Sequence, residues 1–92
     1  DIFETFRAMA DALREHFGKH GALPLYVVAG RGGPNLVRGM GVLRDTCEAL
    51  GIPYRLFGFD SAMSEVVDYA RQVDAWMRAG GRAQLAAQMK LA

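Results

Sequence analysis

Cysteine is nearly missing from this chain of 92 residues: Cys47 stands alone. That excludes an intramolecular disulfide and any zinc site built from several cysteines. Long apolar runs are missing too, and no basic-then-apolar order of a signal peptide opens the chain, so neither a membrane partner nor a leader is expected. Charge of one sign is not in excess: eleven Lys and Arg stand against ten Asp and Glu, for a formal net charge of +1. The cations are interspersed with acids, which argues against a nucleic-acid-binding face. Histidine is scarce, with His16 and His20 only, and neither has a nucleophile or metal-ligand partner in the pattern. Asp45, Glu48, Asp68 and Asp74 read as a solvated face, and no pair has a spacing that compels acid–base work. No catalytic residue and no metal ligand is therefore assigned. A half-apolar chain of this length makes one small domain, of cytoplasmic character.

What is present is an alternation of periodicities. Ile2, Phe3, Phe6, Met9, Ala10, Leu13 and Phe17 recur at three- and four-residue steps, which predicts an amphipathic helix closed near Gly18 or Gly21. Leu25 to Ala29 is a continuous apolar run, the mark of a strand buried on both faces. A second helix is predicted from Pro34 to Leu50 with Val37, Met40, Leu43, Cys47 and Leu50 inward, and Cys47 as a buried inert thiol. A short strand follows at Tyr54 to Phe57. A third helix, capped by Asp60 or Ser61, carries Met63, Val66, Val67, Ala70, Val73 and Met77 on one face as far as Gly80-Gly81. Trp76 is expected to pack on the tail or on a partner. The pattern implies an α/β domain with a parallel sheet over residues 1–80 and a helical tail over 81–92. Two strands cannot cover three helices, so a first strand and loop are expected upstream of Asp1.

Between the first strand and the second helix stands Arg31-Gly32-Gly33-Pro34-Asn35. Glycines permit close backbone approach, Pro34 suits a first helical position, and a helix N-terminus favours an anion. Arg31 adds a planar fork of donors matched to carboxylate or phosphate. The same residues also describe a tight strand-to-helix turn with a solvated arginine, and spacing alone leaves both readings open.

Together with Gly39, Met40, Gly51-Ile52-Pro53, Phe57-Gly58, Met63, Val67 and Ala70, that turn resembles the citrate-binding domain of ATP-citrate lyase and of the citryl-CoA synthetase large subunit. The resemblance runs without a gap from about Thr5 to Ala70. It implies a flavodoxin-like, three-layer domain at the end of an ATP-grasp subunit, in the superfamily of the succinyl-CoA synthetase β subunit. It further implies that Arg31, with Gly32, Gly33 and Asn35, binds citrate or a similar carboxylate, and that His16 occupies the place of a citrate-contacting tyrosine. ATP, Mg and CoA would be cofactors of the parent enzyme and none would be bound by this piece, which should be inactive alone. The implied partners are the ATP-grasp domain and an α-like subunit or domain carrying a phosphohistidine, in an oligomer. Succinyl-CoA synthetases carry their arginine one residue earlier, where this chain has Gly30, so the citrate branch is preferred. The alternatives are the same role in a succinyl-CoA or malyl-CoA synthetase-like ligase, or a non-catalytic module that docks a partner subunit.

Overall fold

A computed structural model describes residues 2–30, 36–58 and 61–90. Helix α1 spans Ile2–His20, strand β1 Val27–Gly30, α2 Leu36–Leu50, β2 Tyr54–Phe57, α3 Met63–Trp76 and α4 Arg82–Gln88. The strands pair in parallel, Val27 opposite Tyr54 and Gly30 opposite Phe57. The described residues thus form an α/β unit around a two-stranded parallel sheet.

Helix α1 forms because its apolar residues return every three or four positions, and that stripe meets α2. Phe6 and Ala10 are buried, while Leu13 and Phe17 pack beside the core. The opposite side carries the pairs Glu4–Arg7 and Glu15–Lys19, at 3.0 and 2.8 Å, all well exposed. Such surface pairs contribute little. The central cluster joins Phe6, Leu36, Leu43, Cys47 and Ile52 with Ala29 of β1, so α1, α2 and one side of the sheet share a core. Each large apolar side chain removed from water there stabilises the fold by about 1.5–3 kcal/mol.

The predicted inward stripe of α2 is shifted by one residue at its start. Leu36 is 2% exposed and Val37 is 77% exposed, and Gly39 and Thr46 join Leu43 and Cys47 as buried positions. Steps of three and four from Leu36 describe the side that faces α1, and Val37 lies off that line. Thr46 places a hydroxyl in the core with no hydrogen-bond partner among the described residues. Burial also pushes the Cys47 thiol pKa up, as expected for an inert thiol. At the end of α2, Gly51 takes a left-handed φ of 72°, and the Ile52 N–H donates to the Cys47 carbonyl at 2.8 Å. That turn drops Ile52 into the core and aims Pro53 into β2.

Three other expectations change. The first strand starts at Val27 rather than Leu25, where parallel pairing with β2 begins and the Val27 N–H donates to the Pro53 carbonyl at 3.0 Å. The third helix is capped by Ala62, not by Ser61, and Asp60 lies outside the described residues. Its regular part stops at Trp76. A kink follows over Met77–Gly81, with Ala79 at φ −88°, ψ 17° and Gly80 at φ 111°. No residue of α3 is fully buried, and Met63 and Val67 are 59% and 42% exposed. Beyond the kink, α4 turns back and buries Leu85, and Met89 reaches the central core. The Trp76 ring lies against Gly81, leaving no space for a Cβ there, while the indole stays partly exposed.

Candidate functional site

Parallel pairing fixes one end of the molecule as the place to look. Gly30 and Phe57 lie side by side where both strands finish. From Gly30 the chain passes through 31–35 into α2, and from Phe57 through Gly58 into α3. The Arg38 guanidinium, in the first turn of α2, lies 4.1 Å over the ring of Phe3 in the first turn of α1. The starts of α1 and α2 are therefore neighbours. The N-termini of α2 and α3 both follow strand ends at the carboxyl side of the sheet, an arrangement that favours anions. Arg31, Gly32, Gly33, Pro34 and Asn35 themselves lie outside the described residues.

The flanks of that turn are tightly specified. A Cβ on Gly30 would stand 2.7 Å from Val66 Cγ2 and 2.9 Å from the Phe57 Cβ. Glycine is required there because α3 leans onto the last residue of β1, and the first side chain past the strand is that of Arg31. Sequence reasoning missed this role of Gly30; its signal was a glycine ending an apolar run next to an arginine. The neighbouring helix is prepared by its own chain: Glu65 Oε1 accepts from the Ala62 N–H at 3.3 Å, and the Ser61 N–H donates to the Gly58 carbonyl at 3.2 Å.

His16 is exposed near the other end of α1, its ring 4.8 Å from that of His20. At 1.5 Å per residue it stands about 20 Å along the helix from Phe3, so the fold does not bring it to the start of α2. On the α3 side of the sheet, the Tyr26 and Tyr69 hydroxyls share a hydrogen bond of 2.7 Å, and Tyr69 meets Phe57 edge-on at 5.6 Å. Burial and the bond to Tyr69 push the Tyr26 pKa up to about 12. Through these contacts Tyr69 ties α3 to Phe57 of β2 and to the residue just before β1. Among the described residues no group of three or more His, Cys, Asp or Glu is arranged for a metal ion, and no helix is long and apolar enough to cross a membrane.

Comparison with known proteins bears on this end of the sheet. The family described as ATP citrate lyase citrate-binding matches residues 1–73. The chain is similar to ATP-citrate synthase alpha chain protein 2 of Arabidopsis thaliana, 29% identical over 72 residues, covering 78% of this chain and 17% of that protein. To alpha chain protein 3 of the same plant it is 32% identical over 66 residues, 72% of this chain and 16% of the relative. To the ATP-citrate synthase of Homo sapiens it is 29% identical over 70 residues, 76% of this chain and 6% of the relative. The chain thus spans less than a fifth of the length of these relatives. No solved structure matches it significantly. The kink after Trp76 and α4 both lie beyond the matched residues.

Proposed function

Because the chain belongs to the ATP citrate lyase citrate-binding family, we propose that it is the citrate-holding part of an ATP-dependent citrate–CoA ligase, of the ATP-citrate lyase or citryl-CoA synthetase type. One observation carries this reading: the matched residues include Arg31-Gly32-Gly33-Pro34-Asn35, and the chain on either side ends β1 and opens α2 at the carboxyl end of a parallel sheet. Ligands of open α/β sheets bind at that end. Arg31 grips one carboxylate with its planar fork, Gly32 and Gly33 admit it to the backbone, and Asn35 adds an amide contact or supports the start of α2.

On this reading the chain contributes binding and orientation, and the bond-making groups come from elsewhere. Holding one carboxylate of citrate presents another to the phosphohistidine of a neighbouring domain or subunit, ahead of thioester formation with CoA. As the family resemblance implies, magnesium and ATP would belong with the ATP-grasp part of the parent, and CoA with another of its sites. The domain is then part of a flavodoxin-like three-layer unit; α1 and α2 lie on the same face of the sheet, so right-handed crossovers place a strand preceding α1 beside β1 and leave the β2 edge outside it. His16 stays outside the proposed citrate set.

Gly30 supports citrate over the smaller dicarboxylates. The succinate ligases resembled by the sequence carry their arginine at the position of Gly30, and here that position has no room for a side chain beside Val66 and Phe57.

Calorimetric titration of citrate into the full-length parent protein, with succinate and malate as competitors, tests the reading. Saturable citrate-selective binding is expected, weakened about 10–100-fold by Arg31→Gln, the loss typical of a charged hydrogen-bond donor, with the thermal melt unchanged. Equal affinity in the variant would remove Arg31 from the site. Preference for succinate or malate would move the chain to the other ligases, and absence of carboxylate binding would leave a docking module with a purely structural turn.

A further inference from the structure

The two strands leave β2 with one neighbour among the described residues, and its other edge opens into a groove of about 320 Å³. Tyr54, Arg55 and Leu56 all line this groove. Consecutive strand residues point to opposite faces, so a groove that touches three in a row runs along the strand's edge rather than over one face. The opposite wall is a single row of α2, Val37, Met40, Gly41 and Arg44, spaced as one side of a helix. This explains why Val37 is turned out while Leu36 holds the core.

Two features say what kind of occupant the groove fits. Gly41 stands in the middle of α2, where glycine costs about 1 kcal/mol relative to alanine. A Cβ there would meet nothing nearer than the Arg44 side chain at 4.0 Å. Packing within the chain therefore does not ask for glycine, whereas close approach of another backbone does. The charged side chains lining the groove are both arginines. Arg44 touches Asp45 at 3.2 Å on the exposed surface. Arg55 lies 4.7 Å over the Phe57 ring and has no ion pair to a carboxylate among the described residues. A second copy of this chain, paired edge to edge through β2, would bring the two Arg55 side chains near each other. Like charges so placed oppose pairing.

We propose that the β2 edge is a docking site for an extended acidic segment of a partner protein, which adds a strand to the sheet. Its backbone pairs with β2 and passes over Gly41. Two adjacent carboxylates, pointing to opposite faces of the enlarged sheet, meet Arg44 on the α2 side and Arg55 on the other. The site is independent of the carboxylate turn at 31–35 and stands whether or not citrate is the ligand there.

The test uses the whole chain and a synthetic hexapeptide of valine and threonine with an aspartate–glutamate pair at its centre, against a twin carrying two lysines. Binding is read by amide chemical shifts and by calorimetry. The acidic peptide is expected to bind about tenfold tighter than its twin, to shift the amides of Tyr54 to Leu56 and Gly41, and to lose most of that preference in Arg55→Glu. Gly41→Leu, on an open helix surface, should fold normally and block the peptide. The proposal is overturned by equal binding of both peptides, by no binding, by shifts centred elsewhere, or by sedimentation showing that copies of the chain pair through this edge instead.

Discussion

Helices α2 and α3 are near twins in length and apolar periodicity, yet α2 buries five residues and α3 none. The difference lies in what each helix faces. Two strands about 4.8 Å apart make a platform roughly as wide as one helix. On one side α2 rests on that platform and is covered in turn by α1, so its stripe is enclosed. On the other side α3 has the platform alone, held through Val66 against Gly30 and Tyr69 against Tyr26 and Phe57. Met63, Val67 and Trp76 stay at the surface. An amphipathic pattern thus reports that a helix has a face to bury; whether the face is covered depends on the width of the neighbouring layer.

The comparison can be broken most directly by truncating matched positions. Leu43→Ala in α2, fully buried, should cost about 2–5 kcal/mol in chemical denaturation, and Val67→Ala in α3 within about 0.5 kcal/mol. Comparable losses would mean that the α3 face is covered in solution. Gly30→Ala tests the one place where α3 presses hard on the sheet: overpacking against Val66 and Phe57 should cost about 1–3 kcal/mol, and Val66→Ala in the same chain should recover part of it. Failure to recover would put the strain in the backbone of β1 instead.

Thr46→Val sharpens the comparison in the other direction. It removes a buried hydroxyl without a partner from the enclosed face while keeping its shape, and should raise stability by up to about 1 kcal/mol. The smallest effect is a matter of pH. Tyr26 titrates at 10.0 as a free phenol and near 12 in the folded chain. A raised folded value means its contribution is whole below pH 10 and is lost as pH climbs through 12. Urea midpoints should therefore fall more steeply between pH 10 and 12 for the native sequence than for Tyr26→Phe; identical slopes would show that the Tyr26–Tyr69 bond does not link α3 to the sheet.

Much was legible in the residues themselves. Apolar steps of three and four in the first helix, the run before Arg31 and the glycine after Leu50 determined the order helix, strand, helix, strand, helix and the parallel sheet, because these signals act within a few residues along the chain. The family was legible too, since the turn 31–35 and its fixed distances to Gly51-Ile52-Pro53 and Phe57-Gly58 survive without any knowledge of the fold. Tertiary structure decided the rest. It chose Leu36 over Val37 for the core, placed an unpartnered hydroxyl at Thr46 and made Gly30 the contact point of α3. It set His16 at the far end of α1 from the start of α2, and among the described residues left the β2 edge open beside Arg55. Each of these depends on which surfaces meet across the sheet, and a one-dimensional pattern carries the periodicity of a face but not the identity or the width of what lies opposite it.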